Sequence, residues 1–206
     1  MGIAVLAKGI IIGFSIAAPV GPIGILCIRR TLIHGMLTGL VSGVGAASAD
    51  AIYGVIAAFG LTIISNFLLE QQFWLRIIGG LFLLYLAYTS FKAPVVDDGR
   101  TESCRGLLAA YLSTFFLTIA NPMTILSFVA VFAGLGLGSE SRDCLSAGCL
   151  VLGVFLGSIF WWMLLSKTVD ILRTRFDSRK LGWVNKTAGI VIGLFGLAAM
   201  LSGLRL

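Results

Sequence analysis

One acidic residue stands alone inside a long apolar stretch of this chain. Asp50 lies between GVGAASA and AIYGVIAAFGL, where placing a carboxylate at the centre of a membrane helix costs about 2.5–3.5 kcal/mol. Acidic residues at such positions usually face a path for a substrate or an ion. We expect Asp50 to bind a substrate ammonium group or to carry a coupling proton, with a structural hydrogen bond between helices as the alternative.

Two proline-containing breaks, Gly21-Pro22 and Asn121-Pro122, interrupt other apolar stretches. Proline inside a helix removes a backbone hydrogen bond, whereas Gly or Asn followed by Pro is typical of a helix start. A helix that starts within a membrane presents unpaired N–H groups and a partial positive charge, which suit a carboxylate. The breaks therefore predict two half-helices that bind an anionic group, unless each proline only kinks its helix for packing.

Three neighbouring residues complete the predicted site. Gly24 permits close approach of the backbone, Thr124 adds a hydroxyl, and Tyr53 follows Asp50 by three residues as a hydrogen-bonding neighbour. Helix N–H groups and one acid together suit a small zwitterion such as an amino acid, although a small anion with a proton fits as well. The predicted substrate-binding residues are Gly21, Pro22, Gly24, Asp50, Tyr53, Asn121, Pro122 and Thr124.

The predicted site residues lie on apolar segments that are long enough to be membrane-spanning helices. Of the 206 residues, 58% are hydrophobic and 12% are charged, whereas soluble proteins carry about 25% charged residues. Apolar runs of this length predict an all-α, polytopic membrane protein with six transmembrane helices. The predicted spans are about Ile3–Ile28, Met36–Ile64, Phe73–Phe91, Gly106–Leu135, Cys144–Leu165 and Val184–Leu204.

The second half of the chain repeats the pattern of the first. Each copy contains three spans, so the second copy enters the membrane from the opposite face, as in many secondary transporters. We predict a single transporter domain over 1–206, built as two inverted three-helix repeats of about 1–92 and 104–206. Chance similarity between glycine-rich helices is the alternative. The aligned segments are Val20–Leu26 with Ala120–Leu126, Gly45–Tyr53 with Gly153–Trp161, and Arg76–Leu84 with Lys186–Leu194, which aligns Asp50 with Ser158.

Basic residues are distributed unevenly between the two predicted membrane faces. Lys8, Arg76, Arg142 and Arg205 fall on the face that carries the termini, and the other eleven of the fifteen Lys and Arg fall on the opposite face. The positive-inside rule then predicts that both termini lie outside the cytoplasm. Because the net charge of +6 follows this topology, we expect membrane lipid rather than nucleic acid as a partner.

Other patterns favour no further chemistry. The four cysteines show no CxxC or metal-ligand spacing, so no cofactor is predicted and a membrane thiol redox carrier is a weak alternative. Export of a metal or other inorganic ion is a second alternative, disfavoured because hard cations need several oxygen ligands. The sequence shows no Ser/His pair within the apolar stretches and no phosphate-binding loop, so we do not expect an enzyme. Glycines at four-residue spacing predict close helix packing, with a homodimer face as the less favoured interpretation.

Several of these elements occur together in a known family. The chain has a G-P-x-G element at Gly21–Gly24, then the basic pair Arg29-Arg30, a G-x(4)-D element that ends at Asp50, and the pair Asn121-Pro122. This pattern resembles the LysE/RhtB family of bacterial amino-acid exporters, many of which have lysine where this chain has Met123. The resemblance implies export of an amino acid or derivative, driven by the proton gradient across a bacterial inner membrane.

Overall fold

In a computed structural model the described residues are 2–58, 71–92, 104–121, 124–125, 127–128, 144–173 and 178–203. Within these ranges the regular structure is entirely helical, which confirms the predicted all-α class. The helices are α1 (Gly2–Ala17), α2 (Pro22–His34), α3 (Met36–Ala58), α4 (Gln72–Lys92), α5 (Cys104–Ile119), α6 (Cys144–Arg173) and α7 (Ser178–Gly203).

The helices are long and apolar enough for a multi-pass membrane protein. Among the described residues α3, α4, α6 and α7 can each cross a membrane, and α1 with α2 forms a fifth candidate span that is bent by 82° at its break. The apolar part of α5, Gly106–Ile119, is shorter than a span. The multi-pass prediction is confirmed, and the count of six spans stays a prediction because 129–143 lies outside the described residues.

Two helices are longer than the spans predicted for them. Helix α6 continues past Leu165 to Arg173, and α7 begins at Ser178 rather than at Val184. In the added part of α6, Lys167 is exposed while Val169 is buried in a cluster with Leu32. Charged residues on the outer face therefore do not end the helix, and both helices extend beyond the apolar spans that the sequence predicts.

The outer surface of the bundle is apolar and its interior contains polar side chains. Large side chains such as Trp74, Tyr88 and Trp183 are exposed, while Thr31 and Asn185 are buried. This distribution suits a bundle in lipid, where helices associate through small and hydrogen-bonding residues rather than through the hydrophobic effect.

Glycines bring neighbouring helices into backbone contact. A Cβ atom added at Gly13 of α1 would overlap the backbone of Val154 in α6, and one added at Gly157 would overlap the backbone of Ile10. Gly80 of α4 and Gly196 of α7 make a similar approach. These contacts fix α1 on α6 and α4 on α7.

Two arginines fix α2 to three other helices. The Nε of Arg29 donates to Oδ1 of Asn185 in α7 at 2.8 Å. The guanidinium of Arg30 donates to Oγ of Ser42 in α3 at 2.9 Å and to Oγ of Ser113 in α5 at 2.7 Å. Hydrogen bonds from charged donors are stronger than neutral ones, so they hold α2 in place while its other end opens on the break.

Candidate functional site

The first predicted break separates α1 from α2. Helix α1 ends at Ala17, and α2 starts at Pro22. The preceding residue, Gly21, has an extended backbone (φ −101, ψ −162) and no side chain that could cap the helix. The first hydrogen bond of α2 runs from the N–H of Ile25 to the carbonyl of Gly21, at 3.0 Å. Because Pro22 has no N–H, the N–H groups without an intrahelical partner at this helix start belong to Gly21, Ile23 and Gly24. They can serve as donors to an anion.

The second predicted break follows α5. That helix ends at Ile119, and the N–H groups of Thr124 and Ile125 bond to the Asn121 carbonyl at 3.1 and 3.3 Å, as at a new helix start. The amide Nδ2 of Asn121 donates to Oγ1 of Thr124 at 3.0 Å. The helix therefore breaks at Asn121, as predicted, while Pro122 lies outside the described residues.

Both breaks and the buried acid line one cavity of about 690 Å³. This volume is typical of a small-molecule site. The cavity runs from the middle of α3 to the end of the bundle where α4 begins and α7 ends. Six of the predicted site residues line it, namely Gly21, Pro22, Gly24, Asp50, Asn121 and Thr124.

Asp50 is 4% exposed and is held by the neighbouring helix α6. The Oγ of Ser158 donates to Oδ2 of Asp50 at 2.7 Å, and the indole Nε1 of Trp162 donates to the same Ser158 oxygen at 3.2 Å. Ser158 is the residue that the repeat alignment pairs with Asp50. The acid thus makes an interhelical hydrogen bond and also lines the cavity, so a structural role and a binding role are compatible.

Tyr53 makes a different contact from the one predicted. Its hydroxyl donates to the carbonyl of Ile119, and its ring packs against Phe128 with centroids 5.5 Å apart. It is not among the residues that line the cavity. Residues three apart on a helix differ by about 60° in direction, so Tyr53 points to the end of α5 while Asp50 points to α6. Its predicted hydrogen bond to Asp50 is replaced by this support of the second break.

Arg76 lines the cavity and was not predicted to do so. The distribution of basic residues placed Arg76 among the cations of one membrane face. In the structure it lies in α4, and its Nη1 donates to the Ser202 carbonyl of α7 at 3.0 Å. A signal was available, since Arg76 falls inside the predicted span Phe73–Phe91, where a charge usually marks a functional position. Thr118, Ser127 and Trp162 are further lining residues that the sequence did not reveal.

The described lining offers few ligands for a metal ion. Among the described residues that line the cavity, Asp50 is the one acidic residue. Within the described ranges, no group of three His, Cys, Asp or Glu residues could hold a metal ion. Cys27 is buried and free, and Cys144 is exposed and free. The arrangement instead combines one carboxyl, one guanidinium and helix N–H donors in an otherwise mostly apolar cavity.

Comparison with known proteins gives the family. Over 204 residues the chain is 25% identical to the "Putative amino acid efflux protein YcgF" of Bacillus subtilis (strain 168), covering 95% of each chain. It is 27% identical over 182 residues to the "Uncharacterized membrane protein YahN" of Escherichia coli (strain K12), covering 85% of this chain and 80% of that one. No solved structure gives a significant match. The family model for LysE type translocators matches residues 14–203, and the chain therefore belongs to the LysE type translocator family.

Proposed function

We propose that this chain exports an amino acid or a small amino-acid derivative across a bacterial inner membrane in exchange for protons. The observation that carries the proposal is the single cavity lined by the start of α2, by the break at Asn121 and by Asp50. Membership of the translocator family and the efflux name of one relative agree with it.

The cavity has complementary groups for both ends of a zwitterion. The Ile23 and Gly24 N–H groups at the positive end of α2 suit a substrate carboxylate. The Asp50 carboxylate suits an ammonium group, and the Ser158 hydroxyl at 2.7 Å holds one of its oxygens in place. Asn121 and Thr124 add polar atoms from the opposite break.

Competition at Asp50 would couple the substrate to a proton. A buried carboxylate without a counter-ion is costly, so it is neutralised either by a proton or by a cation. A substrate ammonium that binds Asp50 displaces its proton, and a proton that returns displaces the substrate. This competition makes exchange the natural mode of transport, with Asp50 as the proton-coupling residue.

The packing of α3 against α6 supports an inverted repeat. Gly43 lies against Trp162, and Gly54 lies against Val154 and Val151. If the alignment of Gly45–Tyr53 with Gly153–Trp161 is extended by two residues at its start and one at its end, Gly43 corresponds to Val151 and Gly54 to Trp162. The contact of Gly43 with Trp162 then becomes that of Gly54 with Val151 when the halves are exchanged. The hydrogen bond between Asp50 and Ser158 joins aligned positions and would lie on the axis between the halves.

The topology that we propose has six spans in one domain. Helix α5 would continue beyond Asn121 as the second broken span, in correspondence with α1 and α2. Both termini would then lie outside the cytoplasm, and the cavity would open toward that side, because it reaches the start of α4 and the end of α7. A homodimer remains a further prediction.

The test is transport by the purified chain in proteoliposomes. Vesicles loaded with a mixture of amino acids are given a pH gradient, and the amino acids that leave are measured by mass spectrometry. We expect the pH gradient to drive amino acids out of vesicles that contain the wild-type protein. Asp50→Asn should lose gradient-driven transport, because the amide cannot exchange a proton.

The control is Asp170→Asn, which removes an acid from α6 that does not line the cavity. It should transport as wild type does. Equal gradient-driven transport by Asp50→Asn and wild type would refute proton coupling through Asp50. Absence of amino-acid movement in wild type, with the protein folded and correctly inserted, would refute the proposed function itself.

A further inference from the structure

We propose that the cavity takes amino acids with an uncharged, apolar side chain, because its wall is mainly apolar, and that Arg76 excludes those with a cationic side chain. This proposal rests on the proposed function, since it assumes that the cavity binds amino acids. It adds the class of side chain and a residue that determines it.

The cavity has one described residue of each charge, and they lie on different elements. Asp50 is in the middle of α3, whereas Arg76 is in the first turns of α4 beside the last residues of α7. The carbonyl of Ser202 accepts a hydrogen bond of 3.0 Å from the Arg76 Nη1. The guanidinium is therefore fixed at the wall.

The cavity wall contributed by α4, α5 and α7 is mainly apolar. It includes Leu75, Leu83, Leu117, Phe195 and Ala198. If Asp50 and the start of α2 bind the substrate ammonium and carboxylate, the substrate side chain lies against this wall. An apolar side chain is stabilised there in proportion to the apolar area that it removes from water.

A cationic side chain meets two unfavourable features in this cavity. The acid that would pair with it, Asp50, is already occupied by the substrate ammonium. The remaining described charge is that of Arg76, which repels a second cation across a low-dielectric space. A lysine side chain would thus lose its hydration without gaining an ion pair.

The experiment compares two substrates that differ mainly in charge. Lysine and norleucine share a linear carbon chain, and lysine adds the terminal ammonium. Proteoliposomes with wild-type protein are loaded with unlabelled norleucine, and the entry of labelled norleucine, lysine and glutamate is measured by counterflow, which needs no coupling gradient. We expect wild type to prefer norleucine over lysine by at least about tenfold.

Variants at position 76 test the role of the arginine. Arg76→Glu should reduce the preference for norleucine over lysine by about tenfold or more, and Arg76→Gln by less, because reversing a charge changes the interaction twice as much as removing it. Lys92→Gln is the matched control, since Lys92 is an exposed cation at the other end of α4 whose Nζ lies over the Tyr88 ring. It should leave the preference unchanged. Melting temperatures identify any variant that does not fold.

The outcomes separate this proposal from the proposed function. Wild type that moves lysine as fast as norleucine, or glutamate faster than either, overturns the substrate class even when the variants do not fold. A folded Arg76→Glu with the wild-type preference overturns the role of Arg76. Wild type that moves none of these amino acids, nor any other, refutes the proposed function instead.

Discussion

The hydrogen bonds around Asp50 predict different changes in the free energy of unfolding when two serines of α6 are replaced by alanine. Ser158 donates to the Asp50 carboxyl at 2.7 Å and accepts from the Trp162 indole at 3.2 Å. Ser158→Ala leaves both buried groups without this partner. Hydrogen bonds measured between membrane helices average about 0.6 kcal/mol and reach about 1.7 kcal/mol. For two bonds, one to a carboxyl group, we expect the free energy of unfolding to fall by about 1–2 kcal/mol.

Ser166, two turns later in α6, is the matched control. It is 1% exposed, and its Oγ has no hydrogen-bond partner among the described residues. Ser166→Ala removes a buried hydroxyl that makes no hydrogen bond, so it should leave the free energy of unfolding unchanged or slightly raised.

The assay is reversible unfolding in mixed micelles. Sodium dodecyl sulfate is titrated into protein in a mild detergent, and loss of the helical circular dichroism signal gives the free energy of unfolding for each variant. Circular dichroism is preferable to tryptophan fluorescence because Ser158→Ala alters the surroundings of Trp162. Equal losses for the two serines, or a larger loss for Ser166→Ala, would refute the assigned hydrogen bonds.

Two further predictions concern packing and the second break. Gly157→Ala should lower the free energy of unfolding by about 1–3 kcal/mol because its Cβ meets the backbone of α1, whereas Gly148→Ala, with open space around it, should raise it by about 0.5–1 kcal/mol. The same detergent titration measures both, and equal values would contradict the close contact. Tyr53→Phe should lower the free energy of unfolding by about 0.5–1.5 kcal/mol, because the Ile119 carbonyl loses the hydroxyl that donates to it. Unchanged stability with weaker substrate binding in counterflow would show instead that Tyr53 contacts the substrate.

The features that depend on neighbouring residues in the chain could be predicted from the sequence. Gly21-Pro22 and Asn121 break their helices because the local backbone chemistry favours a helix start. Asp50 lines a cavity because burying a carboxyl against lipid is costly. These effects need no knowledge of the tertiary structure.

The features that depend on distant contacts could not be predicted in full. The donor to Asp50 is 108 residues away, and the repeat alignment paired the two positions without indicating that they bond. Tyr53 shares a helix with Asp50, but its direction is decided by the end of α5. Arg76 was assigned to a membrane face because a charge near the start of an apolar run is also typical of a loop, and only the packing of α4 on α7 turns it to the cavity.

The pairing of Asp50 with an alcohol, Ser158, rather than with a second acid would limit the number of protons transferred in each cycle of the proposed exchange. Ser158 keeps its hydroxyl proton at any pH a cell experiences, so the pair as a whole can release or accept one proton and no more. In the exchange that we propose, each substrate molecule would thus be traded for a single proton at Asp50. A measured stoichiometry above one would require a second titrating group elsewhere along the path.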